Sequence, residues 1–94
     1  MSPEQRHMRR VASIGCVICR RLGYPDTPAH VHHVAEGSSL RSDFAVAPLC
    51  PEHHVGATGF HTLKEERFCK MFRVPWENEY GLLAMTNEDL ARYA

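Results

Sequence analysis

Two short pairs, Cys16-x2-Cys19 and Cys50-x2-His53, lie about thirty residues apart in a chain of 94. No other feature restricts the fold so strongly. Two donors on one tight turn can reach one tetrahedral Zn²⁺, and two such turns close a four-ligand site. Thiolate and imidazole donors suit Zn²⁺ over Mg²⁺ or Ca²⁺. A domain this small has a thin core and often needs a metal, a disulfide or a partner. The N-terminal MSPEQRHMRR has no apolar stretch of the signal-peptide kind. No run of about 18 apolar residues offers a membrane span. The expected address is cytoplasmic, where disulfides are disfavoured and Cys with His reads as a ligand set. Two bland readings compete. The cysteines can be small buried hydrophobes, or a redox Cys-x-x-Cys, which needs a βαβ context absent here. His54, adjacent to His53, is an alternative fourth ligand. Cys69 reads as a core residue.

Ser2, Pro3 and Gln5 form a capping-box start for a helix over 2–13, and Gly15 is a natural stop. Turn signals at Gly23, Pro25, Asp26 and Pro28 lead to a strand over 29–35. A polar Gly/Ser loop over 36–42 precedes a second extended segment over 44–49, which Pro48 is expected to end. Pro51 begins a helical turn. Residues 61–72 carry apolar side chains at helical spacing, and Val74-Pro75 ends that helix. Two short helices are expected over 78–84 and 87–93, with Asn78 and Asn87 as caps.

Eleven basic and eleven acidic residues give a formal net charge of zero, so a polybasic nucleic-acid coat is excluded. The zero is an average of a basic front and an acidic back. Arg9, Arg10, Arg20, Arg21 and Arg41 are candidate phosphate contacts, since a guanidinium binds phosphate bidentately. For any one of them a solvated surface is the simpler reading. Arg41 stands out because it follows the first strand closely. Tyr24, Phe60 and Trp76 are read as core packing ahead of base stacking, Trp76 above all.

Seven histidines remain to be explained. One completes the zinc set and His7 is ordinary surface. Two adjacent pairs, His32-His33 and His53-His54, are hard to account for by packing. Adjacent strand residues point to opposite sides, so one of His32 and His33 can ligate a metal while the other faces a phosphate. Imidazole has the near-neutral pKa of a general base, and a divalent ion offsets charge on a phosphodiester. His54 is held beside the Cys/His set. His30 shares the strand face of His32.

Cys-x2-Cys, then His-His on a strand, then Leu-Cys-x2-His-His resembles the zinc-loop HNH nucleases of the ββα-metal (His-Me finger) fold. The stretch HHVAEGSSLRSDFAVAPLCPEHHVGATGFH is similar, more narrowly, to the phage recombination-enhancement nucleases, the Ref-like family. The resemblance covers about residues 9 to 75. It implies His33 as general base and His32 and His54 as ligands of a catalytic divalent metal. His61 is then a further ligand or a phosphate contact. The central HNH Asn would fall near Ala45, and Asp43 is the nearest residue able to orient the base.

The expected fold is a single α+β domain over 1–94. It comprises an N-terminal helix (1–14), a zinc-stabilised ββα-metal core (16–73) and C-terminal helices (74–94). Expected cofactors are structural Zn²⁺ on Cys16, Cys19, Cys50 and His53, and a catalytic divalent ion, Mg²⁺ ahead of Mn²⁺ or Zn²⁺. Expected partners are DNA and, by resemblance, a RecA filament, with no membrane. The expected function is metal-dependent DNA cleavage in phage or prophage recombination. The rival is an inactive zinc module that binds DNA or a recombinase.

Overall fold

The computed structural model describes residues 1–34 and 41–94. Most of the Gly/Ser loop expected over 36–42, and Ala35 of the first expected strand, lie outside the described residues. Helix α1 (Pro3–Ser13) starts on the expected capping box. The Ser2 hydroxyl accepts from the Gln5 amide at 3.1 Å, and the Gln5 side chain accepts from the Ser2 amide at 2.9 Å. Gly15 follows with φ +81°, the left-handed conformation that closes a helix and that glycine adopts without strain. Helix α2 (Val17–Arg21) starts two residues later. It is too short to announce itself by periodicity and was not expected.

Strands β1 (His30–His33) and β2 (Val46–Leu49) pair antiparallel, with His32 opposite Ala47 and His33 opposite Val46. Pro48 does not end β2. It pairs with Val31 inside the strand, which a two-stranded sheet permits because each strand has an edge free of ladder bonds. Helix α3 (Pro51–His54) follows directly, and α4 (Phe60–Met71) is kinked at Lys64, where φ is +71°. A single helix α5 (Glu79–Tyr93) replaces the two expected short ones. Its buried residues Leu82, Met85 and Leu90 need one continuous face. Asn78 caps it through the Tyr80 amide at 2.9 Å, and Asn87 lies inside it.

The main core joins Val17, Ile18, Leu49, Phe68, Leu82 and Met85 across α2, β2, α4 and α5. A smaller cluster of Val11, Ile14, Val46 and Leu90 seats α1 on the sheet and on α5. Cys69 is fully buried in the main core, as expected. Burial, then the nearby carboxylates of Glu65, Glu79 and Glu77, push its thiol pKa to about 11, leaving it unreactive.

Trp76 and Tyr24 depart from the expected core packing. They are 71% and 68% exposed, whereas Phe60 is buried as expected. The residues at 76 and 77 adopt φ +59° and +53°, so the turn over Pro75–Glu77 swings the indole outward. The turn is held from below by α5. A Cβ at Gly81 would meet the Pro75 carbonyl oxygen at 2.1 Å, so only glycine fits there.

The basic α2 and the acidic α5 are tied together. Arg21 is bidentate to the buried Asp89 at 3.0 and 3.1 Å, and Arg20 Nε lies 3.7 Å from the same carboxylate. Arg20 also donates to the Ile14 carbonyl and lies over the Tyr93 ring at 4.1 Å. These two arginines, grouped by sequence with the phosphate contacts, are thus engaged by the opposite end of the chain. Removing Asp89 strands two cations. Asp89→Ala is expected to cost about 2–4 kcal/mol in urea unfolding, reduced from a fully buried pair because Arg21 is part exposed. An unchanged unfolding midpoint would contradict this role.

Candidate metal centres

The first centre is built by two helix starts. Cys16 caps α2, with its Sγ accepting from the Cys19 amide at 3.4 Å, and Cys50 occupies the cap position of α3. One helical turn brings Cys19 beside Cys16 and His53 beside Cys50. Cys19 Sγ lies 3.6 Å from Cys50 Sγ, and His53 Nδ1 lies 3.7, 3.5 and 3.2 Å from the sulfurs of Cys16, Cys19 and Cys50. A tetrahedral Zn²⁺ with ordinary bond lengths separates its sulfur and nitrogen ligands by about 3.5–3.8 Å. The donor set therefore fits one ion. All four side chains are buried, and the four cysteines of the chain are free thiols.

Burial disfavours charge on these donors. Burial pushes the Cys16 thiol up to about 12, against smaller lowering by the Cys19 and Cys50 amides. Burial raises Cys19 as well and lowers His53. A cation is what would hold such thiols as thiolates. His53, rather than its neighbour His54, completes this set.

His54 instead joins a second group with His32 and His61, whose ligand atoms lie within 4.8 Å of one another. His54 Nε2 and His61 Nε2 are 3.1 Å apart. Two nitrogens sharing one tetrahedral ion are about 3.3 Å apart. The His32 ring meets the other two edge-on, His54 at 5.4 Å and His61 at 5.3 Å between centroids. β1 supplies His32, α3 supplies His54 and the first turn of α4 supplies His61. His32 is buried, whereas His54 and His61 are half-buried, so this group is less enclosed than the first. The set is chemically suited to a divalent ion through three imidazoles.

Two further contacts reach these histidines, and only the second carried no sequence signal. His30 Nδ1 approaches His54 Nδ1 at 3.4 Å, on the side of the ring away from His61. His32 Nε2 lies 2.9 Å from Glu79 Oε2 on α5. His30 was legible as a face-mate of His32. Glu79 lies 47 residues from its partner, and nothing local points to it.

His33 takes the other side of β1, as alternation requires. Its Nε2 is 2.8 Å from Asp43 Oδ1, and Arg41 Nη2 is 3.1 Å from its Nδ1. With the proton on Nε2 facing the carboxylate, Nδ1 keeps its lone pair, and the Arg41 guanidinium donates to it. Arg9 and Arg10 are exposed on α1.

The sheet and helices thus carry two distinct donor sets able to hold a metal ion, one sealed in the core and one half-buried. α1 and α5 supply no donor to either set but pack against the elements that do. Residues 2–94 match the family described as recombination enhancement, RecA-dependent nuclease, and the chain belongs to it. The match extends beyond the stretch that carries the sequence resemblance and includes the helix bearing Glu79. No curated protein and no solved structure gives a significant match. Among the described residues no helix is long and apolar enough to cross a membrane.

Proposed function

We propose that the protein is a metal-dependent DNA endonuclease of the HNH type, acting on strands exposed by a RecA filament. The observation that carries this reading is the pairing of functions on adjacent residues of β1. His32 turns toward His54 and His61, and His33 turns toward Asp43 and Arg41. An antiparallel hairpin followed by a histidine-bearing helix is the order of a ββα-metal site.

In this reading a scissile phosphate lies at β1 between the two sides. His33 Nδ1 accepts a proton from the attacking water, and Asp43 holds the ring through Nε2. Asp43 serves where the HNH pattern has Asn. Arg41 exchanges its contact with His33 for a phosphate oxygen, which exposes the Nδ1 lone pair when substrate binds. Arg9 and Arg10 contact more distant phosphates. Arg20 and Arg21 serve the Asp89 linkage instead. His32, His54 and His61 would hold a divalent ion, and three imidazoles suit Zn²⁺ or Mn²⁺ better than the Mg²⁺ expected from the sequence; bound there, it would supply positive charge to the phosphate and the departing 3′ oxygen. Zn²⁺ on Cys16, Cys19, Cys50 and His53 holds the frame.

The test is cleavage of a displacement loop formed by a RecA filament, with added Mg²⁺ or Mn²⁺. Nicking is expected with the filament and the metal together, and to cease with EDTA. Equal nicking in EDTA would contradict the metal assignment. Equal nicking of the same DNA without RecA would contradict the filament requirement.

A further inference from the structure

His32 is nearly sealed, at 1% exposure, and is grouped with His54 and His61. Its Nε2 is engaged by the Glu79 carboxylate at 2.9 Å. A neutral imidazole carries one N–H. An acceptor at Nε2 places the proton there and leaves the Nδ1 lone pair for an ion. Phe60 packs on the same ring at 4.7 Å between centroids, restricting its rotation.

Glu79 is itself firmly placed. It is the first residue of α5, its side chain is 13% exposed, and its backbone amide donates to Glu65 Oε2 at 2.9 Å. α5 is anchored by Leu82 and Met85 in the main core and by the close approach of Gly81 to Pro75. The carboxylate is therefore tied to the core and not to a mobile surface. It also lies outside the trio whose ligand atoms converge.

We propose that Glu79 is a positioning residue for the second metal centre. It accepts the Nε2 proton of His32 and directs Nδ1 toward the ion shared with His54 and His61. The inference rests on the reading that these three histidines hold a divalent ion. It gives α5 a part in the site that is distinct from covering the core. Carboxylate partners of this kind fix both tautomer and ring orientation of a ligating histidine.

The test uses full-length protein with its structural zinc in place and Zn²⁺ alone as the probe. Affinity for a second equivalent is measured by chelator competition in wild type, Glu79→Ala, Glu79→Gln and His54→Ala. Glu79→Ala is expected to weaken the second site by about 10–100-fold, with the first site unchanged. Glu79→Gln, whose amide oxygen still accepts from Nε2, is expected to recover most of that loss. Nitrogen-15 spectra of wild-type imidazoles in the two-zinc state read the tautomer without any substitution. They are expected to show the His32 proton on Nε2. A proton on Nδ1 with Nε2 on the metal would overturn the proposal, since Glu79 would then be a co-ligand. Unchanged affinity in Glu79→Ala would overturn it too. Failure of the underlying reading looks different. Wild type would then take up no second zinc, or His54→Ala would bind it as well as wild type does, and the role of Glu79 would fall with it.

Discussion

His33→Ala is expected to reduce DNA nicking by about 10²–10⁴-fold, the usual contribution of a general base. The protein should keep its fold and both metal sites. His33 belongs to neither donor set, and its ring is held from outside the core by Asp43 and Arg41. Loss of the ring leaves the sheet register intact, because β1 pairs through backbone groups and His33 faces away from the main core. The sharp form of the prediction is the separation of two quantities. Cleavage collapses, while zinc content and thermal midpoint stay within error of wild type. A variant that nicks at the wild-type rate would remove His33 from the reaction.

Removal of the structural zinc is expected to have the largest effect on stability. Cys16, Cys19, Cys50 and His53 sit between α2, β2 and α3, and the main core is built around them. Structural zinc sites contribute on the order of 10–16 kcal/mol of apparent binding energy at neutral pH. That matches or exceeds the whole stability expected of a domain this size, which is roughly 5–14 kcal/mol. Without the ion, nothing ties the four donors together, and burial favours the uncharged thiols of Cys16 and Cys19. A strong chelator, or Cys16→Ala, should therefore abolish cooperative unfolding and most helical circular dichroism. Retention of the native spectrum after complete zinc removal would show that the apolar core suffices.

The parts of this fold legible in the sequence are those fixed by short spacing. The Ser2–Gln5 box, the two Cys/His turns and the His32-His33 alternation each act within four residues, so their geometry follows from local backbone rules. The hairpin followed from two short apolar runs separated by a polar loop. What escaped depends on contacts across the chain. Arg20 and Arg21 looked like phosphate contacts because their partner, Asp89, is 68 residues from Arg21. Glu79 was invisible for the same reason. The acidic C-terminal stretch read only as the acidic back of the chain, yet its carboxylates reach α2 through Asp89 and His32 through Glu79. Trp76 was misjudged because its exposure is set by a left-handed turn against Gly81, and no local pattern encodes that approach. The division between His53 and His54 was settled by the length of α3. One turn from Cys50 returns His53 to the sulfurs and carries His54 round to His61.

The chain is expected to hold one closed and one open metal site, reached from adjacent faces of the short helix α3 by His53 and His54. The most direct measurement is the number of metal ions per chain, counted by elemental analysis after equilibration with Zn²⁺, in wild type and in His54→Ala. The account predicts two ions in wild type, one of them resistant to mild chelation, and one resistant ion in His54→Ala. A single ion in both proteins would contradict it.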